Sequence, residues 1–288
     1  MLRKILIVAL IASGCAWGGS GSAEVTTVGE QPAWQERDGC EAGKAQSLFT
    51  GPITNGFYEA DVGTGRRACP RTEVGVGGRA QLIVDVPNFY GNIVGAGLLY
   101  GSVAVDPKTE VFGTLEAYKY DWVQNASLQG SSGTLGQLTV GATRILFERG
   151  GLLLAPSARL MLPTALAMPT RVVGAEVGVA YNQHLAQKFE LHGYGGLDGS
   201  AGFSAAPLYG RFGALVNFGA QYNLCSGFGI ALDGNAHFAH QAALDYLAPA
   251  LALRFRVGHV GAELGAALPV AGSDRHDVSG GLRVAYRF

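Results

Sequence analysis

The chain has 288 residues, a formal net charge of −1 and only 15% charged residues, against roughly 25% in ordinary soluble domains. So even a balance offers nucleic acid no basic surface to bind. Glycine takes 44 positions, about twice its usual share of about 7%, and beyond the leader no apolar run is long enough for a spanning helix.

At the N-terminus, Arg3 and Lys4 precede an apolar run over residues 5–12. This is the pattern of an export signal, too short to remain as a membrane helix. Two exits are readable: cleavage after Ala23 in Gly21, Ser22, Ala23, or a lipobox-like Ala12, Ser13, Gly14, Cys15 that would leave a lipidated Cys15. Residues 1–23 are therefore read as a signal peptide, and residues 24–70 as a periplasmic or lumen-facing segment with one candidate extra strand, near 57–62. Export permits disulfides. Cys40 and Cys69 share this region and either pair or stay reduced, with Cys225 expected to be free.

Residues 71–288 read as a barrel. Leu82, Val84 and Val86 share one face of a strand, opposite Gln81 and Asp85. A hairpin follows, 92–105 and 110–121, turned by Asp106, Pro107, Lys108 and Thr109, which are good turn residues. Its second strand is expected to hold Glu110, Thr114, Glu116, Tyr118 and Tyr120 on one face, before a Gly/Ser-rich loop over 125–133. Strands then alternate with tight turns: 134–148 and 151–163, 171–184 and 187–199, 209–224 and 227–238, 244–257 and 260–271, and last 276–288. The connections between these pairs are longer. Short turns on one side and longer loops on the other fit an antiparallel up-and-down transmembrane β-barrel. Counting from residue 79 predicts twelve strands, within a range of ten to fourteen. Fourteen would follow if 55–66 and 71–77 were also strands.

Which face meets lipid follows from the side chains. In 244–257, Leu247, Leu251, Leu253, Phe255 and Val257 oppose Ala248, Ala250, Ala252, Arg254 and Arg256. The other late strands repeat this contrast. Arg or Lys facing lipid at the midplane costs about 2–4 kcal/mol, so the charged face is predicted to point into the lumen. Glu116, Arg159, Glu176, Glu190, His192, Asn217, Gln221, Asp233, Arg254, Glu263 and Arg283 are the expected lining. Folding the hairpins at Gly258 and near Gly272 places Arg254, Glu263 and Arg283 in one row across three strands. That row either braces the wall or sets ion preference. The closing Tyr286 and Phe288 are expected in the periplasmic aromatic girdle.

Residues 72–87, TEVGVGGRAQLIVDVP, and 136–164, GQLTVGATRILFERGGLLLAPSARLMLPT, together with the Tyr-Arg-Phe ending, resemble the transporter-like outer-membrane barrels grouped with the MetA pathway of phenol degradation. The likeness covers roughly residues 55–288. Gln137 stands where that pattern has Asp, and Ala165 where it has Gly. The resemblance implies a barrel that moves small molecules, aromatic or hydrophobic ones included. The C-terminal strand also resembles the signal read by the barrel-assembly machinery of Gram-negative outer membranes.

The expected function is passive passage of a small solute through an outer-membrane barrel, with outer-membrane lipid and the assembly machinery as partners. No cofactor, metal or nucleic acid is expected. The alternative is a structural or surface-interaction barrel with a closed lumen. His237 and His240, with Asp245 nearby, are the only hint of catalysis, but no nucleophile motif accompanies them and His-x-x-His would point its rings to opposite faces of a strand. An enzyme is not expected.

Overall fold

The computed structural model describes residues 69–85, 90–124, 129–163, 171–186, 188–203, 209–225, 227–239, 244–272 and 278–288. They form fourteen ladder segments: β1 (Glu73–Asp85), β2 (Tyr90–Asp106), β3 (Thr109–Gln124), β4 (Gln129–Thr134), β5 (Gln137–Arg144), β6 (Phe147–Arg149), β7 (Leu152–Pro163), β8 (Arg171–Ala186), β9 (Phe189–Phe203), β10 (Tyr209–Cys225), β11 (Phe228–Ala239), β12 (Leu244–Val257), β13 (Val260–Ala267) and β14 (Val278–Arg287). β3 pairs with both β4 and β5, and β7 with both β5 and β6. β4, β5 and β6 are therefore successive pieces of one stave, and the wall has twelve staves. Each pairs antiparallel with its chain neighbour, and β14 pairs with β1 to close the ring. A closed ring has no unpaired edge, which is the condition for a sheet in hydrocarbon.

Local chemistry makes the hairpins. Gly150, Gly151 and Gly258 hold positive φ values of 58°, 79° and 56° in the tight turns, a region that favours Gly. Five connections of two residues, at 107–108, 150–151, 187–188, 226–227 and 258–259, lie on one rim. The start of β1 and the end of β14 share that rim. By the usual barrel rule this is the periplasmic rim.

Packing is inverted relative to a soluble protein. Leu232, Phe218 and Leu264 are 64%, 56% and 50% exposed on the outer face, whereas Arg254, Glu263 and Arg283 are at most 1% exposed inside. Apolar outer staves and a polar interior belong to a barrel of the bacterial outer-membrane kind.

Four expectations need correction. The first stave begins at Glu73, so 71–77 is no separate strand; residues 55–66 lie outside the described residues. The Gly/Ser-rich stretch is largely ladder, because β4 pairs with Lys119–Gln124 of β3 and backbone pairing needs no bulky side chain. Tyr118 does not share a face with Glu116. The β2–β3 register shifts between Gly97 and Leu98, and this irregularity turns Tyr118 outward, 54% exposed, while Glu116 stays buried. Finally, Cys225 is not a free thiol: both it and Cys69 are disulfide-bonded. Cys225 ends β10 at the periplasmic rim, where an oxidising compartment reaches it. Cys40 lies outside the described residues.

Candidate functional site

The interior wall carries layers of paired polar groups. Near the periplasmic rim the chain entering β1 lies against the inside. The Arg71 amide donates to Glu110 Oε2 at 2.6 Å, and Ser102 Oγ donates to the Arg71 carbonyl at 2.9 Å. Cys69 is buried in an interior cluster with Ile145, Leu153, Ala155, Ala180, Tyr194 and Leu215.

Above this sits the row expected from the hairpin registers. Arg254 is opposite Glu263, and Glu263 opposite Arg283. Arg254 Nε donates to Glu263 Oε1 at 3.2 Å, and its Nη1 donates to Gln221 Oε1. The Arg283 guanidinium lies 5.1 Å from the Tyr100 ring centroid, within cation–π range. Gln221 Nε2 donates to Asn223 Oδ1 at 2.6 Å. A second cluster joins β7, β8 and β9: Arg159 Nε donates to Glu176 Oε2 at 3.1 Å, and the Tyr194 hydroxyl to Glu176 Oε1 at 2.7 Å. Asn217 Nδ2 donates to Asn235 Oδ1 at 2.6 Å. Glu190 lies 3.8 Å from His184 Nε2.

Three further contacts cross a whole stave, and an inward glycine makes two of them possible. His192 on β9 and Asp233 on β11 meet at 2.5 Å over Gly219 of β10; a Cβ at Gly219 would collide with both. Closer to the opposite rim, His237 on β11 reaches over Gly213 to Asp198 on β9. Its Nε2 is 3.0 Å from Asp198 Oδ1, and its Nδ1 is 2.5 Å from Asp245 Oδ2. The ring also stacks on Tyr246 at a centroid separation of 5.8 Å. Arg79 on β1 donates to Glu116 on β3, spanning β2. Gly136 leaves the room that the Glu116 side chain fills.

Of the eleven residues expected to line the lumen, ten are buried and Asn217 is half-buried. The expected list lacked Arg79, Tyr100, Tyr194 and Asp198. Arg79 was within reach, since it has the same strand parity as Gln81. Asp198 gains its role only through a contact two staves away. His240 lies outside the described residues. Tyr286 and Phe288 face outward at the periplasmic rim, packed edge to face at 5.3 Å, and Tyr286 stacks on His259.

Chemically, the interior presents carboxylates with a cationic or histidine partner close by, and no ring of a single sign is formed among the described residues.

No protein-family model matches the chain, and no curated protein matches it by sequence. Its fold is similar to that of the COG4313 outer membrane channel from Pseudomonas putida F1, with a TM-score of 0.57 and 14% identity over 80% of this chain and 100% of that one. It is also similar to the translocator domain of the autotransporter NalP from Neisseria meningitidis, with a TM-score of 0.52 and 14% identity over 78% of this chain and 89% of that one. A third likeness is the β domain of the Bordetella autotransporter BrkA, at 0.51 and 11% over 76% and 100%. At these identities the kinship is one of fold, that of an outer-membrane β-barrel.

Proposed function

We propose that the chain is a passive channel of the bacterial outer membrane for small solutes. The observation that carries this reading is the interior of ion pairs and amides enclosed by a closed wall. A barrel that only had to stand closed would be braced as well by apolar packing, because replacing buried ion pairs with hydrophobic residues is often neutral or stabilising. Charges kept inside at that cost suit water and solute. The inner layers favour a small polar or ionic solute; the aromatic solutes implied by the MetA-pathway resemblance remain a narrower version of the same proposal. A catalytic role is disfavoured because both ring nitrogens of His237 already face carboxylates, leaving neither to take a proton from a nucleophile.

Planar-bilayer recording on the refolded barrel tests the proposal. The expected result is a small conductance with weak ion selectivity, since the interior charges are paired. Glu263→Gln leaves Arg254 and Arg283 with less negative charge between them. It should shift the reversal potential toward anions in a salt gradient. Absence of conductance and of solute flux from a correctly folded sample would replace the channel with a closed structural or surface-interaction barrel.

A further inference from the structure

The outer wall carries a groove that solute passage does not require. In register order across six staves, outward positions run Val260, Tyr286, Val74, Gly101, Gly113 and Val140. The two adjacent glycines open a gap between flanking apolar side chains. Val76, Leu99, Leu115 and Leu138 wall it on the extracellular side, and the cavity measures about 670 Å³.

Nothing inside the protein demands these glycines. Neither Gly101 nor Gly113 has a positive φ. A Cβ at either would meet only ordinary contacts, 3.6 Å to the Glu73 carbonyl and 3.5 Å to the Thr139 carbonyl. They contrast with Gly219, where the interior leaves no room. The missing side chains at Gly101 and Gly113 create space on the membrane side alone.

Two cations lie between the groove and the periplasmic rim. Ala142 is the next outward residue on β5 toward the periplasmic rim, and Arg144 follows it, exposed and opposite Thr109. From the level of Gly113 to that of Arg144 is four residues, about 13 Å of strand. Lys108 is exposed in the adjoining turn. Asp106, the anion of that turn, accepts a hydrogen bond from the Lys108 amide at 2.7 Å. Between the groove and these cations the outward positions are Val103, Val111 and Ala142. An apolar groove with an apolar surface below it and two cations about 13 Å away matches the layout of a phospholipid: chain in the hydrocarbon, phosphate at the interface.

We propose that this groove binds one phospholipid of the periplasmic leaflet, an acyl chain lying over Gly101 and Gly113 and the phosphate held by Arg144 and Lys108. The full-length barrel, purified in mild detergent and supplied with phosphatidylglycerol, provides the test, read by native mass spectrometry after detergent exchange. The expected result is one retained phospholipid per barrel, and several-fold less retained diacylglycerol, which has the chains without the phosphate. Gly101→Val with Gly113→Val should reduce retention several-fold by filling the trough. Arg144→Gln with Lys108→Gln should reduce it while leaving the wall untouched, so it decides the matter should the filled variant not fold. Retention unchanged in the Arg144 and Lys108 variant, equal retention of diacylglycerol, or a filled groove whose only effect is to break up a dimer would each overturn the proposal.

Discussion

Gly219 sits where two side chains from non-adjacent staves must meet. His192 and Asp233 come from β9 and β11, and their junction lies directly over the β10 backbone. Any β-carbon there forces the pair apart. Gly219→Val is therefore expected to destabilise the barrel by about 1–3 kcal/mol, the usual cost of overpacking. Gly234→Val, outward on β11 with its nearest neighbour at 3.8 Å, should cost much less. Urea unfolding in detergent micelles, followed by heat-modifiable gel mobility, separates the two. The same residues show how far a sequence can be read. The Arg254, Glu263 and Arg283 row was legible because tight turns fix hairpin register, so neighbours follow by counting. The His237 contact with Asp198 was not, because it depends on the absence of a side chain on the stave between. A glycine in a strand looks the same in sequence whether it serves a turn, a close approach or an open groove.

At the scale of the strand, strict alternation did most of the predictive work, and it failed where the ladder itself is irregular. Tyr118 was placed inside by parity, and the shift at Gly97 and Leu98 put it outside. A bulge changes every face assignment beyond it while leaving the hydrophobic pattern nearly intact. β4 was missed for a different reason: its Gly and Ser carry no alternation, yet its backbone pairs as well as any. Where alternation holds, its energetic meaning can be measured. Leu232 is outward on β11 between inward Ala231 and Asp233. Leu232→Arg should lower stability by about 2–4 kcal/mol near the midplane, measured by refolding equilibrium into lipid vesicles. The same change in a soluble sheet would be nearly free at so exposed a position. A cost under about 0.5 kcal/mol, the range of ordinary surface substitutions, would contradict the inverted exterior.

For the whole molecule, orientation is the property that joins the wall, the proposed channel and the proposed lipid groove. Five two-residue connections and both ends of the wall share one rim, and outer-membrane barrels keep their short turns in the periplasm. His259 occupies one of these turns, exposed and stacked on Tyr286. The connection between β7 and β8, residues 164–170, leaves the opposite rim. A maleimide too large to cross the outer membrane should therefore label Ala167→Cys on intact cells. It should label His259→Cys only after the membrane is opened, with both variants checked for folding by heat-modifiable mobility. The reverse pattern would put Phe288 and the aromatic pair at the cell surface, and Arg144 and Lys108 with them. That rim would then face the outer leaflet, so the same experiment also decides which leaflet can supply the groove's lipid. The order of interior layers would invert too: a solute from outside would meet the rim with Arg71, Glu73 and Glu110 first. In the orientation argued here the paired cluster of Asp198, His237 and Asp245 is the described interior layer nearer the cell surface.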